Sequence, residues 1–416
     1  MTASTFEAPD PSRLLHSRLT PRAWLRKNLF STWYHSLLTA ALGAVVLWGA
    51  WSLLRFLFVT AEYEIIRVNL TNFMVGRFPR DELWRPWAAA GLLATSLGIA
   101  VGAATEAAAA RAAEAQILYH RSTSREWLHR FWPLLLLVVV LLSFTRTFVP
   151  SLLAAATLSA GLGGYWLGRV LPVGLRRWVW VMLVALLLSA YLALAGFDGV
   201  GWDDWGGLHL TIFVTMAGIL FAFPFGLLLA LGRRSSLPTL RYLSVTYIEV
   251  LRGVPLITLL FMGIFALGFL LPPGIRPGPV TRVIVAITLF EAAYIAEIVR
   301  GGLQGVPAGQ VEAAQAMGLS PWQTMRQVVL PQALRNTIPA MVGQFISLYK
   351  DTSLVTIVGL TDVLRVSNQA NSQPEFFGQG LDIVTLPFVG LIYWVGSFTM
   401  SREARRLEKR LGVGER

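Results

Sequence analysis

Residues 311–324, VEAAQAMGLSPWQT, form a polar pause in a chain otherwise apolar enough to live in lipid. The pause reads as two short helices joined at a glycine. Pro307 suits a first helical turn, where its missing N–H costs nothing. Gly318 suits the left-handed position just past that helix's end. Ser320-Pro321-Trp322-Gln323 reads as a capping box with proline at the first helical position, and the second helix is expected to run until Pro331. Leu319, Trp322, Met325 and Val329 recur at helical spacing opposite Gln323, Arg326 and Gln327, which predicts one apolar face. A helix resting on the lipid surface favours many Lys and Arg on its polar side. Residues 303–325 hold little such charge, and the alanines around Glu312 leave room for another protein's backbone to come close. The insert therefore reads as a docking surface outside the membrane.

Of the 416 residues, 55% are hydrophobic and 14% charged, where soluble domains carry about a quarter charged. Apolar runs long enough to cross a ~30 Å hydrocarbon core fall near 33–58, 87–104, 131–148, 150–168, 178–196, 208–231, 243–271, 280–299, 336–360 and 383–400. The expected fold class is an all-α polytopic membrane protein with about ten transmembrane helices. Continuous runs without period-2 alternation exclude a β-barrel. The first run is too long for a signal-peptide core and reads as a retained span.

The net charge of +12 sits in short segments between spans, the pattern of cytoplasmic loops rather than of a nucleic-acid partner. Arg13, Arg18, Arg22, Arg26 and Lys27 mark the N-terminal tail. Arg111, Arg121, Arg125, Arg130, Arg169, Arg176 and Arg177 mark two later loops, and six basic residues mark the C-terminal tail. Segment 197–207 has Asp198, Asp203 and Asp204 with no base. Both termini and the insert are thus expected in the cytoplasm. The expected division is a tail at 1–30, an extension at 31–205 with about five spans, a core at 206–401 with the insert at 303–335, and a basic tail at 402–416. The extension holds an outer segment at 59–86 and an Ala/Glu/Arg helix near 105–130 on the cytoplasmic side. With no cysteine, and histidines scattered at 16, 35, 120, 129 and 209, no metal site is expected. Trp84, Trp87, Trp127, Trp132, Trp202 and Trp205 fall where rings anchor at membrane interfaces.

Glu312-Ala313-Ala314, then Gly318 six positions after the glutamate, then VVLP at 328–331, resemble the EAA loop of importer-type ABC permeases. EAAYIAEIVRGG at 291–302, LPQA at 330–333 and KDTSL at 350–354 resemble that family's polar amino-acid uptake branch. So does EVLRGVP at 249–255, although the branch often has threonine where Val254 stands. The resemblance covers about 207–410 and implies that the last five spans form a MetI-like permease core. It further implies that Glu312, Ala313, Ala314 and Gly318 fit a cleft on a cytoplasmic ABC ATPase, itself a dimer. The long extension resembles the larger permease subunit of general L-amino-acid importers, which implies a second, related permease (a heterodimer rather than a homodimer) and an extracytoplasmic binding protein, in the inner membrane of a bacterial cell. Segments 59–86 and 198–204 are candidate contacts for that binding protein.

Charges inside spans need a partner or a task, since each costs roughly 2.5–3.5 kcal/mol at mid-bilayer on insertion scales. Glu249 and Arg252 share a helix face just before Gly253 and Pro255, which weaken the helix where backbone groups can meet a substrate. Lys350 and Asp351 are adjacent and point about 100° apart. Lys350 is one of only three lysines, with Lys27 and Lys409, among 35 basic residues. Two readings stay open. The charges neutralise one another across helices, for example Glu249 with Lys350 and Arg252 with Asp351. Alternatively they line the passage, with Thr352 and Ser353, and complement the carboxylate and ammonium of an amino acid. No G-x-x-x-x-G-K-[ST] occurs, so no catalysis and no cofactor are expected on this chain, with ATP and magnesium held by the partner ATPase. The competing class is an ion-coupled secondary carrier using Glu249 and Asp351, which would favour an inverted repeat. None is found: Glu-Ala-Ala recurs at 106, 291 and 312 with unmatched flanks.

Overall fold

The computed structural model describes residues 20–116, 124–176, 178–196, 199–272 and 274–412. Arg13, His16, Arg18, His120, Arg121, Arg177 and Asp198 lie outside the described residues, as do the side chains of Arg125 and Trp127. Among the described residues the regular elements are helices, apart from one isolated bridge between Gly207 and Asp362. Contacts divide the chain after Glu62 into two units.

In the first unit, α1 spans Pro21–Asn28 and α2 spans Trp33–Arg55, continued by a π turn to Thr60. Thr20 and Thr32 cap them through their hydroxyls. The apolar helix from Trp33 to Thr60 is 28 residues long and has no buried position, as a span surrounded by lipid requires.

In the second unit, α3 spans Glu64–Val75, α4 Trp84–Glu114, α5 Ser124–Ser143, α6 Val149–Val170 and α7 Val179–Ala195. There follow α8 at Gly207–Arg233, α9 at Pro238–Gly253, α10 at Leu256–Leu270 and α11 at Pro279–Gln304. The insert holds α12 at Ala308–Ala316 and α13 at Pro321–Thr324, and the chain ends with α14 at Leu330–Asp351, α15 at Val363–Asn371 and α16 at Asp382–Leu411. Each of the ten expected spans coincides with one of these helices, counting α9 and α10 as one bent span. Four described helices are by themselves long and apolar enough to cross a membrane, and the bent pair makes a fifth.

The helix expected over 243–271 breaks at Val254–Pro255 with a bend of 105°. Pro255 starts α10 in extended geometry and supplies no N–H to α9, so Gly253 and Pro255 act as the sequence predicts. The expected 336–360 helix ends earlier, at Asp351, and tightens into a 3₁₀ turn over Thr352–Thr356. The expected separate helix near 105–130 is also altered. Its first part is the unbroken continuation of α4 to Glu114, because an alanine-rich run holds nothing to stop a helix.

Two sets of glycines weld the extension together and onto the core. In α4 and α6, a Cβ at Gly98, Gly102, Gly164 or Gly168 would lie 2.2–2.4 Å from a carbonyl oxygen of the facing helix. Only glycine allows backbones this near, the small-residue packing of membrane helices. Arg169 and Glu106 pair at 3.0 Å beside this seam. At the join to the core, Gly76 has φ +62 and its Cβ position falls 2.4 Å from the Cα of Gly206. Val75, Phe78, Ala89, Ala190, Leu194 and Trp205 then share one buried cluster with Leu210, Val283, Ile287 and Leu348. Trp205 is therefore a core residue, 2% exposed and stacked on His209, not an interface anchor. Its indole N–H donates to the Val200 carbonyl at 3.0 Å, which satisfies the group away from water. Asp203 is likewise engaged: its carboxylate accepts from the Val280 N–H at 3.2 Å and caps α11.

Candidate functional site

The insert folds largely as its sequence predicts. Pro307 precedes α12 as its cap, one position earlier than expected. Gly318 takes φ +80 just beyond it, with nothing within 4 Å of a built Cβ. The capping box is complete: the Gln323 N–H donates to the Ser320 hydroxyl at 3.3 Å, and the Ser320 N–H donates to the Gln323 side chain at 2.9 Å.

Pro331 does not end the second helix. A π turn over Met325–Val329, closed by the Leu330 N–H on the Met325 carbonyl, carries the chain straight into α14. The wider turn takes up the crowding that a proline ring causes against the preceding turn. The expected apolar face forms through Leu319, Met325 and Val329, with Gln323, Arg326 and Gln327 exposed, and departs at Trp322, before the extra residue of the π turn that shifts the helical phase by about 100°. Trp322 points outward and is 66% exposed, while Thr324 and Val329 face the core. Outward with Trp322 stand Glu312, Ala313, Met317 and Gly318, whereas Ala314 is buried and fastens α12 to the bundle.

The expected pairings of Glu249 with Lys350 and of Arg252 with Asp351 do not form. The bend lays α9 against the insert end of α8 and α11 instead. There Arg233, in the last turn of α8, reaches Glu249 at 3.1 Å and Glu297 at 3.5 Å. Arg252 reaches Glu297 at 3.9 Å, and Arg300 grips the same carboxylate with two N–H groups at 2.8 and 2.5 Å. Glu297 is thus a hub for three guanidiniums from three helices. It lies seven residues before the end of α11, roughly 10 Å from it.

Lys350 and Asp351 belong to a different level. Gly302 of α11 lies against Ala333 of α14, and Glu291 meets Gln344, eleven residues back along one helix and eleven forward along the other. The two helices therefore run antiparallel in one register. Glu291 sits 12 residues from one end of α11 and 13 from the other, so it is at mid-length. It is 1% exposed and accepts one hydrogen bond, from the Gln344 amide at 3.0 Å; its other oxygen has no partner. Thr288, one turn away on the same face, also carries a buried hydroxyl without a partner. Across from it on α14 is Ser347, whose hydroxyl donates to Asp351, one turn further on, at 3.4 Å. Lys350 is exposed, Ser353 is half-buried, and Thr352 is buried with its hydroxyl donating to the Tyr349 carbonyl at 2.7 Å.

Of the six residues expected to line a passage, then, Lys350, Asp351, Thr352 and Ser353 lie where α14 ends, about two turns beyond the level of Glu291, and Glu249 and Arg252 stand apart at the insert end. The sequence reading passes over Glu291 and Glu297, although both lie in EAAYIAEIVRGG and inside a span. Counting every ionisable residue between 280 and 304 as a charge inside a span would find them.

Comparison with known proteins agrees with this architecture. Residues 222–413 match the family described as binding-protein-dependent transport system inner membrane component. The inner membrane amino-acid ABC transporter permease protein YhdY of Escherichia coli (strain K12) is 34% identical, over 97% of this chain and 96% of its own. The glutamate/glutamine/aspartate/asparagine transport system permease protein BztC of Rhodobacter capsulatus is 36% identical over the same shares. A solved amino-acid ABC transporter, crystallised with histidines, is 31% identical over 49% of this chain and 92% of its own, with a TM-score of 0.44. The chain is a membrane-spanning permease subunit of the ABC importer class. It belongs to the family of amino-acid ABC transporter permeases with long N-terminal extensions, since both full-length relatives align across the extension as well as the core.

Proposed function

We propose that this chain is one of two related permeases in an ATP-driven importer of polar L-amino acids, with both termini and the insert in the cytoplasm. A binding protein on the outer face supplies the amino acid, and a separate ATPase dimer binds ATP and magnesium. The single observation that carries this reading is the outward face of the insert. Glu312, Ala313, Met317, Gly318 and Trp322 are presented to the exterior on a helix pair that is itself locked to the core through Ala314, Thr324 and Val329. Exposed Met and Trp side chains rimmed by a carboxylate suit a protein partner better than water. The amino acids named for the relatives, and the buried unpartnered oxygens of Glu291 and Thr288 at mid-length, favour an amino acid as cargo. No observation favours the ion-coupled carrier.

Gly318→Val tests the reading. A β-branched residue at φ +80 is strained by about 1–2 kcal/mol, yet nothing surrounds the position, so the bundle should still insert. Expected is loss of ATPase copurification, or at least a tenfold drop in ATPase stimulation by loaded binding protein. Unchanged copurification and stimulation would remove the insert as the coupling element.

A further inference from the structure

Glu291 is the least explained group in the molecule. It lies at the middle of α11, 1% exposed, with one oxygen unpartnered, and no ion pair reaches it among the described residues. A carboxyl at this depth costs several kcal/mol unless something compensates it. Among buried aliphatic neighbours such as Ile287 and Ile295, a few oxygen-bearing side chains share its level. Thr288 contributes a second orphan hydroxyl, and the antiparallel register puts Ser347 opposite Thr288 and Gln344 opposite Glu291. Asp351 adds a second carboxylate one turn beyond Ser347. Lys350, next to Asp351 at the end of α14, is exposed, and among the described residues no ion pair joins it to Glu291. This is the donor set for a small cation carrying several N–H groups, at the depth where transporters bind cargo.

We propose that Glu291, with Thr288 and Gln344, holds the ammonium group of the transported amino acid in the middle of the membrane. The assignment rests on the amino-acid reading above. The ammonium donates to the free Glu291 oxygen and to the Thr288 hydroxyl, and the Gln344 amide fixes the carboxylate by bonding its other oxygen. The group needs no base inside the protein because the cargo brings the positive charge. Glu297, by contrast, is saturated by three arginines and has nothing left to offer a cargo.

The test uses the whole permease–ATPase assembly in lipid nanodiscs without binding protein. Equilibrium binding of radiolabelled glutamate, glutamine, aspartate and asparagine is measured, with glutarate and succinate as competitors that lack the amino group. Wild type should bind at least one of the four, displaced by the unlabelled amino acid and not by the deaminated acid. Glu291→Gln keeps the shape and the Gln344 contact, and should weaken binding at least tenfold while erasing that discrimination. Thr288→Val should weaken it less, and Glu291→Asp should restore part of it. Wild-type affinity and discrimination in Glu291→Gln would overturn the assignment, as would a wild-type complex that binds none of the four while the full system with binding protein imports one. If exchanging sodium for choline abolishes binding in wild type and not in Glu291→Gln, the site holds an inorganic cation and the ammonium assignment is wrong. If the full system imports no amino acid, the cargo reading fails, and this assignment with it.

Discussion

Replacing Glu297 by Gln leaves Arg233, Arg252 and Arg300 converging on a neutral amide. The structure sets the size of the effect. Arg300 contacts the carboxylate at 2.5 and 2.8 Å, Arg233 at 3.5 Å and Arg252 at 3.9 Å, and the Glu297 side chain is 23% exposed. At an effective dielectric of about 20, each such pair is worth roughly 4 kcal/mol before desolvation is counted. Removing one member of a largely buried pair typically costs about 3–5 kcal/mol net. Partial exposure argues for less, about 1–2 kcal/mol or roughly tenfold, divided between the α8–α11 contact through Arg233 and the α9–α11 contact through Arg252, since Arg300 lies on α11 itself. The assay is ATPase activity of the reconstituted complex with and without loaded binding protein, beside uptake in proteoliposomes. Glu297→Gln should raise the unstimulated rate and lower the amino acid moved per ATP, because the bent α9–α10 segment is freed from the helix that enters the insert. The companion Arg252→Met removes only the longest contact and should show a smaller shift in the same direction. An unchanged basal rate, coupling ratio and thermal midpoint in Glu297→Gln would refute the latch.

Two further perturbations address the extension. Gly102→Leu places a Cβ 2.2 Å from the Tyr165 carbonyl oxygen, a backbone atom that has no room to turn aside. The α4–α6 seam must open, at about 1–3 kcal/mol, and the purified complex should lose thermal stability, while Gly343→Ala, with nothing within 4 Å, should not change it. Asn69→Leu breaks the reciprocal amide pair with Gln373, at 3.0 and 2.8 Å, and leaves Gln373 without its partner. That should cost about 1–3 kcal/mol and quicken hydrogen exchange in α3 and α15; unchanged exchange would show that this contact does not hold the extension to the core.

The elements that were legible in the sequence are those whose cause is local. Ten apolar runs predict ten helical spans, Gly253 and Pro255 predict a break, and Ser320 to Gln323 predict a cap, because each signal and its consequence lie within one or two turns. Long-range partners were not legible. Nothing near Glu249 in sequence says that a 105° bend will carry it to Arg233 rather than to Lys350. The outward turn of Trp322 was hidden for a related reason. Helical periodicity assumes 3.6 residues per turn, and one π turn before Pro331 breaks that assumption. The extension is an intermediate case. Gly98-x-x-x-Gly102 and Gly164-x-x-x-Gly168 are small-residue motifs visible in the sequence, and they mark the seam that turns apparent lipid-facing bulk into a packed pair.

The two charge levels share one helix, and that constrains how movement at the insert can reach the cargo. α11 carries Glu291 at mid-length and Glu297 and Arg300 six and nine residues later, roughly 9 and 14 Å along the axis. After Gln304 only three residues separate α11 from α12, the helix that bears Glu312. A hydrogen-bonded helix does not shorten under load, so a push on α12 shifts both levels together. The hub resists that shift because its arginines come from α8 and α9 as well as from α11. At mid-length the polar link to α14 is the Gln344 amide, and toward the insert the two helices also meet closely where Gly302 lies on Ala333. Sliding α11 against α14 therefore strains the Gln344 bond and the arginine hub in one step. If Glu291 holds the cargo as proposed, its release and the loosening of the insert end are coupled through one rigid helix, and weakening either level is felt at the other.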